Sequence, residues 1–270
     1  MTAPPPLPYA HLLERAHQAV DHGDLRRARR ILGKIGEGTP SPELAYAHWR
    51  VTWTSKGPAA ALPGVEEAVV AFPESPDLHH ALGTTLAQLD RPDDALVALE
   101  EACYLDADYA EAWYDLGKVR EAVGDIAGMR AAFTEVYELD MAEPLPELLF
   151  SEQQMKRWVE RAVALLPPEV RERIVDVPIF VAEYPEPWIL ETEIADPRLL
   201  GLFDGPTWTE LRSVEGAFTG APHVYVFQRN LERVAPDSRT MAHEVRVTVH
   251  HELGHFLGLD EHDMHERGLE

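Results

Sequence analysis

"SRTMAHEVRVTVHHELGHFLG", residues 238–258, reads two ways, and the choice decides how the second half of the chain folds. Val245, Val247 and Val249 alternate as in a strand. On a strand, however, His251 and His255 would stand about 13 Å apart at ~3.3 Å per residue, too far to share one metal ion. On a helix, at about 100° per residue, Ala242, Val245, Val249, Leu253, Phe256 and Leu257 fall within an arc of about 120°. His251 and His255 then lie about 40° apart on the opposite side. The stretch therefore predicts a helix from Ser238 to Gly258, with one face for a core and the other presenting two imidazoles.

The same helix carries His251-Glu252-Leu253-Gly254-His255. Composition alone gives a chance His-Glu-x-x-His on the order of one time in fifteen, and adding Gly258 lowers this to well under about one in a hundred. The bland alternative is a solvated histidine pair beside a surface glutamate. In zinc peptidases the glutamate after the first histidine stays out of the metal's coordination shell and serves as general base, which makes Glu252 the candidate base. A third ligand is still required. Glu270 follows His251 too soon for a further helix to bring a distant glutamate, so the expectation is a short return of the chain after Gly258. Glu261 stands at the tenth position after His251, where HExxHxxGxxH proteins carry their third histidine. Asp260 is the neighbouring alternative; His262, His265 and an upstream residue are weaker ones.

Upstream, "SEQQMKRWVERAVALLPPEVRERI" predicts an amphipathic helix capped by Ser151 and broken at Pro167-Pro168. "VPIFVAEY" (177–184) and "HVYVFQR" (223–229) read as strands. The Pro- and Gly-bearing stretch at about 190–221 reads as loop-rich. The strand at 223–229 could be an edge that pairs with an extended peptide; the alternation of His223, Tyr225 and Phe227 against Val224 and Val226 permits this without demanding it. No distinct oxyanion-stabilising residue stands out; Tyr184, Tyr225 and Arg229 qualify only by type.

The first half follows another pattern. "ALGTTLAQLDRPDDALVALEEACYLDAD" from Ala81 and "DLGKVREAVGDIAGMRAAFTEVYELD" from Asp115 align with Gly83 and Gly117 in register. Stepping back by the same interval reaches "AHWRVTWTSKGPAAALPGVEEAVVAFPES" and then "HLLERAHQAVDHGDLRRARRILGKI". Each unit reads as helix, turn, helix, with the turn near a Gly-Asp, Lys-Gly or Asp-Arg-Pro step. The interval from Gly83 to Gly117 is the period of ~34 residues that marks tetratricopeptide repeats. The resemblance is carried by Leu82-Gly83, Leu116-Gly117, Trp113, Ala95 and Ala102. The first two units rest on spacing, and a generic helical bundle is the alternative. Cys103, beside Ala102, reads as a buried small hydrophobe rather than a reactive thiol.

A formal net charge of −23 argues against nucleic acid or an anionic membrane as partner. No run approaches the ~18 apolar residues of a membrane span, and "MTAPPPLPYAHLLERAHQ" lacks the pattern of a signal peptide. A cytoplasmic location is the expectation. A single cysteine excludes an intrachain disulfide and a multi-cysteine zinc site.

"RVAPDSRTMAHEVRVTVHHELGHFLGLDEHDMHERGLE", "LLGLFDG" (199–205) and the helix with "LPPEVRERI" resemble the minimal zincins, small zinc-dependent proteases with a matrix-metalloprotease-like domain. The likeness spans about residues 150–270 and implies a compact α+β zincin core. It implies Zn²⁺ held by His251 and His255, with Glu252 as base and Gly258 at the turn. Glu261 stands where that family usually has aspartate. The expected architecture is an all-α tetratricopeptide-repeat solenoid over 9–143, followed by a small α+β zincin-like domain over 145–270. The expected function is a zinc metallopeptidase acting on a peptide or protein, with a protein partner on the concave face of the repeats. The alternative is a repeat-based interaction module with a catalytically weak or metal-free zincin domain. A deformylase-like hydrolase ranks low because it expects a cysteine ligand and Cys103 lies in the repeats.

Overall fold

The computed structural model describes residues 9–35, 40–142, 145–192, 196–212, 220–260 and 262–264. The chain divides into two compact units, Met1–Ala142 and Glu143–Glu270.

The first unit is a series of helical hairpins. They are α1 (Ala10–Asp21) with α2 (Leu25–Ile35), α3 (Pro42–Lys56) with α4 (Pro58–Ala71), α5 (Pro76–Gln88) with α6 (Pro92–Leu105), and α7 (Ala110–Ala122) with α8 (Ile126–Asp140). The period persists where the residue pattern fades. Gly23, Gly57, Asp90 and Gly124 all take positive φ at the turns between paired helices, each one repeat period after the last to within a single residue. Proline opens α3 and α5, and α4 and α6, again one period apart: Pro42 to Pro76, and Pro58 to Pro92. It suits that position because the first helical N–H has no intrahelical acceptor to lose.

Gly83 and Gly117 mark the crossing of paired helices. A Cβ at Gly83 would lie 2.5 Å from Leu99 Cγ, and one at Gly117 would lie 2.4 Å from the Phe133 ring. Both large partners are completely buried, so the missing side chain is what lets each helix pair close. Cys103 is buried in the same core as Leu99, Ala102 and Leu116, and burial pushes its thiol up to about 12. It is a packing residue, as expected.

The second unit is α+β. Ser151 caps α9 (Glu152–Leu165) in a reciprocal box with Gln154. After the proline pair comes the short α10 (Pro168–Arg173), then β1 (Ile179–Ala182), a 3-10 turn at Pro187–Glu191 and β2 (Gly201–Asp204). The single turn α11 (Trp208–Leu211), β3 (His223–Phe227), α12 (Gln228–Val234) and α13 (Ser238–Phe256) complete it. The sheet order is β1-β3-β2. β3 runs parallel to β1 and antiparallel to β2.

Three expectations change here. The stretch at 190–221, read as loop-rich, contains β2 and α11. The strand read over 223–229 stops at Phe227, and Gln228 and Arg229 open α12. That strand is also central rather than an edge, with Val224, Val226 and Phe227 all essentially buried. The sheet's edges are β1 and β2.

Alternation gives the sheet two faces. Val224, Val226, Ile179, Val181 and Phe203 pack toward α9 and α13, while Leu202, Tyr225 and Phe227 pack with Ile189 on the other side. At the start of α12 three consecutive buried polar side chains bond to irregular backbone. Gln228 Nε2 donates to the Phe150 carbonyl at 2.7 Å and Arg229 Nη1 to that of Pro146 at 2.7 Å. Asn230 Nδ2 donates to Pro197 and Leu199 at 3.0 and 2.7 Å. These bonds compensate for burying the side chains. Among the described residues, no helix is long and apolar enough to cross a membrane.

Candidate metal centre

α13 begins where the sequence predicts, with Asp237 Oδ1 accepting from the N–H groups of Arg239 and Thr240. Met241, Val245, Val249, Leu253 and Phe256 are at most 1% exposed and fix the helix on the core. Phe256 is further held between the rings of Phe203 and Trp208, at 5.8 and 6.2 Å. The residue before the motif adds a polar anchor. His250 Nε2–H donates to the Ala162 carbonyl on α9 at 2.8 Å, and burial lowers its pKa against the opposing pull of that bond.

With the core face fixed, His251 and His255 stand one turn apart, half-buried. Their Nε2 atoms are 3.1 Å apart, with ring centroids at 4.7 Å and planes at 85°. Two nitrogens at ~2.0–2.1 Å from a tetrahedral ion lie about 3.3 Å apart. The separation, here that of a hydrogen bond between the rings, is close to the one two ligands of a single Zn²⁺ would take. Glu252 lies between them in sequence but on another side of the helix, 8% exposed. Its Oε2 accepts from the Phe203 N–H of β2 at 2.7 Å.

The helix ends as the glycine position requires. Gly258 takes φ +82°, its N–H donates to His255 O, and the Leu259 N–H donates to Gly254 O, the pattern of a Schellman stop. The chain then turns back. Asp260 Oδ1 accepts from the Asp263 N–H at 2.8 Å, and the Asp260 carbonyl accepts from the Met264 N–H at 2.9 Å. Met264 is completely buried. It packs on Gly254, where a Cβ would lie 2.7 Å from its Sδ. Met264 thus brings the segment after Gly258 back against α13 at Gly254, which lies between the two histidines in sequence. Asp260 uses its carboxylate as a cap, and His262 is exposed. Glu261 and His265 lie outside the described residues. Among the described residues, no three His, Cys, Asp or Glu side chains gather as a metal-binding group.

Of the three oxyanion candidates, Arg229 bonds to Glu183 at 3.0 Å and covers the Tyr184 ring at 5.4 Å. Tyr225 lies on the sheet face away from α13. Sequence reasoning missed His250, Gly201 and the Phe203 amide. The available signal was a lone glycine inside the apolar run "LLGLF", which marks close backbone approach.

Residues 174–269 match the family model of zincin-like metallopeptidases. This zincin-like segment contains the sheet, α13 and the return, and so every residue assigned above to the centre. Among curated proteins, none matches this chain. Solved structures similar to the chain are tetratricopeptide proteins and the MamA protein. MamA is 20% identical, with a TM-score of 0.41 over 62% of this chain and 86% of its own. TTC0263 of Thermus thermophilus is 16% identical, with a TM-score of 0.43 over 62% and 96%. YrrB, described as a repeat protein with an unusual peptide-binding site, is 18% identical, with a TM-score of 0.40 over 50% and 71%.

Proposed function

We propose that the chain is a zinc metallopeptidase whose helical repeats recruit a peptide or protein, and that it works in the cytoplasm. The observation that carries the reading is the imidazole pair on α13, with nitrogens 3.1 Å apart, beside a buried glutamate in a segment matching zincin-like metallopeptidases. In this reading His251 and His255 hold Zn²⁺, with Glu261 as third ligand on the return segment. When bound, Zn²⁺ supplies a Lewis acid that polarises the scissile carbonyl and makes water nucleophilic at neutral pH.

The chain's own groups do the rest. Glu252 keeps Oε2 on the Phe203 N–H, and Oε1 takes the proton of the attacking water. The same oxygen returns that proton to the leaving nitrogen as the peptide bond breaks. The repeats offer the partner surface on the concave side of the stacked hairpins, a role their hairpin architecture supports.

Metal analysis of the purified chain, then a peptide-library digest against Glu252→Gln, tests the proposal. About one zinc per chain and cleavage lost only in Glu252→Gln are expected. A chain that excludes zinc and cleaves nothing leaves the alternative, an interaction module with an inactive zincin domain.

A further inference from the structure

The outer edge of β2 meets the motif helix through one backbone group, the Phe203 N–H. β2 pairs Leu202 with Tyr225 and Asp204 with His223, and the Phe227 N–H donates to Leu200 O. Alternation along an antiparallel ladder therefore turns the backbone groups of Gly201 and Phe203 away from β3. In that outward direction the Phe203 N–H meets Glu252 Oε2. The same two residues face α13 with their side-chain positions. Phe203 fills its place against Phe256, and position 201 has nothing to place there. A Cβ at 201 would lie 2.5 Å from Thr248 Cγ2, 2.9 Å from Glu252 Cγ and 3.1 Å from Tyr225 O. Thr248 is 5% exposed and has little room to yield. Behind β2, Asn230 fixes the incoming chain through the Pro197 and Leu199 carbonyls.

We propose that Gly201 is a positioning residue for Glu252. Its missing side chain lets β2 close on α13, so that the Phe203 amide holds the carboxylate in one orientation. The catalytic consequence rests on the metallopeptidase reading; the positional claim does not. A methyl at 201 pushes either β2 outward or the Glu252 side chain to another rotamer, and both break the 2.7 Å bond. A base misplaced by about 1 Å costs on the order of 10²-fold in rate.

The test uses the full chain with Thr248→Ala, Gly201→Ala/Thr248→Ala and Glu252→Ala. Thr248→Ala removes the 2.5 Å contact, while the 2.9 Å contact with Glu252 remains. The pair therefore removes the clash with Thr248 but not the one with the Glu252 side chain, and leaves the Tyr225 carbonyl at 3.1 Å to yield by a few tenths of an ångström. Hydrogen exchange at the Phe203 amide, read by NMR, needs no turnover. Protection is expected in the wild type and Thr248→Ala, and its loss in the double variant and in Glu252→Ala. On the zinc-loaded chain the double variant should lose about 10- to 100-fold in kcat, with KM within about twofold. Retained Phe203 protection in a folded double variant overturns the proposal, as does unchanged kcat. Should the double variant unfold, Gly201→Ala/Thr248→Ala/Glu252→Ala, which removes both side-chain contacts, carries the test. A folded triple variant is expected, and one that also unfolds overturns the proposal, because the glycine then serves the backbone at Tyr225 and not Glu252. A zinc-loaded wild type with no turnover sinks the parent reading alone, and the exchange measurement still decides the role of Gly201.

Discussion

Met264 is the anchor of the return segment, and removing it should loosen zinc without unfolding the chain. Its side chain is completely buried and seated on Gly254, but it belongs to a short turn outside the apolar cluster that holds α9, α13 and the sheet. Truncation to alanine forfeits about 2 kcal/mol of burial, the middle of the range for a methionine. The loss falls on the docking of the return segment, which the backbone bonds at Gly258 and Leu259 and the Leu259 side chain against Gly254 also tie to α13. If Glu261 supplies the third ligand, that loss passes into metal affinity at a factor of ten per ~1.4 kcal/mol, or about 30-fold for 2 kcal/mol. Met264→Leu, which conserves volume, should stay within about threefold, since such swaps cost little. Chelator competition with a chromogenic probe reads the affinity, and circular dichroism checks that helix content is kept. A folded Met264→Ala chain that binds zinc within twofold of wild type refutes the reasoning: the return would then not hold the third ligand.

The third ligand itself is tested at Glu261, where alanine should weaken zinc by at least about tenfold and aspartate should retain it. Asp260→Ala should matter less for the metal, since that carboxylate caps Asp263; the opposite pattern would move the assignment by one residue. In the repeats, Gly117→Ala should lower Tm, because the new methyl meets the buried Phe133 ring and overpacking costs about 1–3 kcal/mol. Gly33→Ala meets nothing within 4 Å and should raise stability by about 0.5–1 kcal/mol; equal effects would discredit the packing account. Cys103, with its thiol pushed up to about 12 by burial, should react with alkylating reagents only after denaturation, as mass spectrometry will show. A fragment of residues 145–270 should give a cooperative thermal transition, because its apolar cluster draws only on its own residues; a molten fragment would make the chain one cooperative unit.

Much of this architecture is written plainly in the chain. The repeat period survives in the backbone even where residue types drift, since a turn needs its left-handed residue and a first helical turn tolerates proline whatever the core contains. α13 was legible because a buried face and a histidine face both fit the turn of an α-helix, and Gly258 stopped the helix where a left-handed position is needed. β2 was hidden because Gly201–Asp204 is too short a run to establish alternation and begins with a glycine. The end of β3 was misread because Gln228 and Arg229 follow the apolar run directly with no turn residue between; their burial depends on carbonyls 78 and 83 residues away. The Phe203–Glu252 bond was beyond reach for a similar reason, since a main-chain N–H carries no residue code. Composition shows which side chains can do chemistry. It does not show which backbone groups will hold them still.

The run Gln228-Arg229-Asn230 also sets an order of events during synthesis. Each repeat hairpin closes within one repeat period, so the first unit can gain native contacts as it leaves the ribosome. The second unit cannot. Its entry at Pro146–Phe150 is bonded to side chains of α12 that emerge 78 to 83 residues later, and Pro197, on the approach to β2, waits 33 residues for Asn230. Until α12 is made these bonds are missing, and α13, which covers α9 and the sheet in the core, follows later still. A ribosome stalled between residues 200 and 228 would therefore carry finished repeats and an unfinished, aggregation-prone segment. That interval is where a chaperone would find this chain.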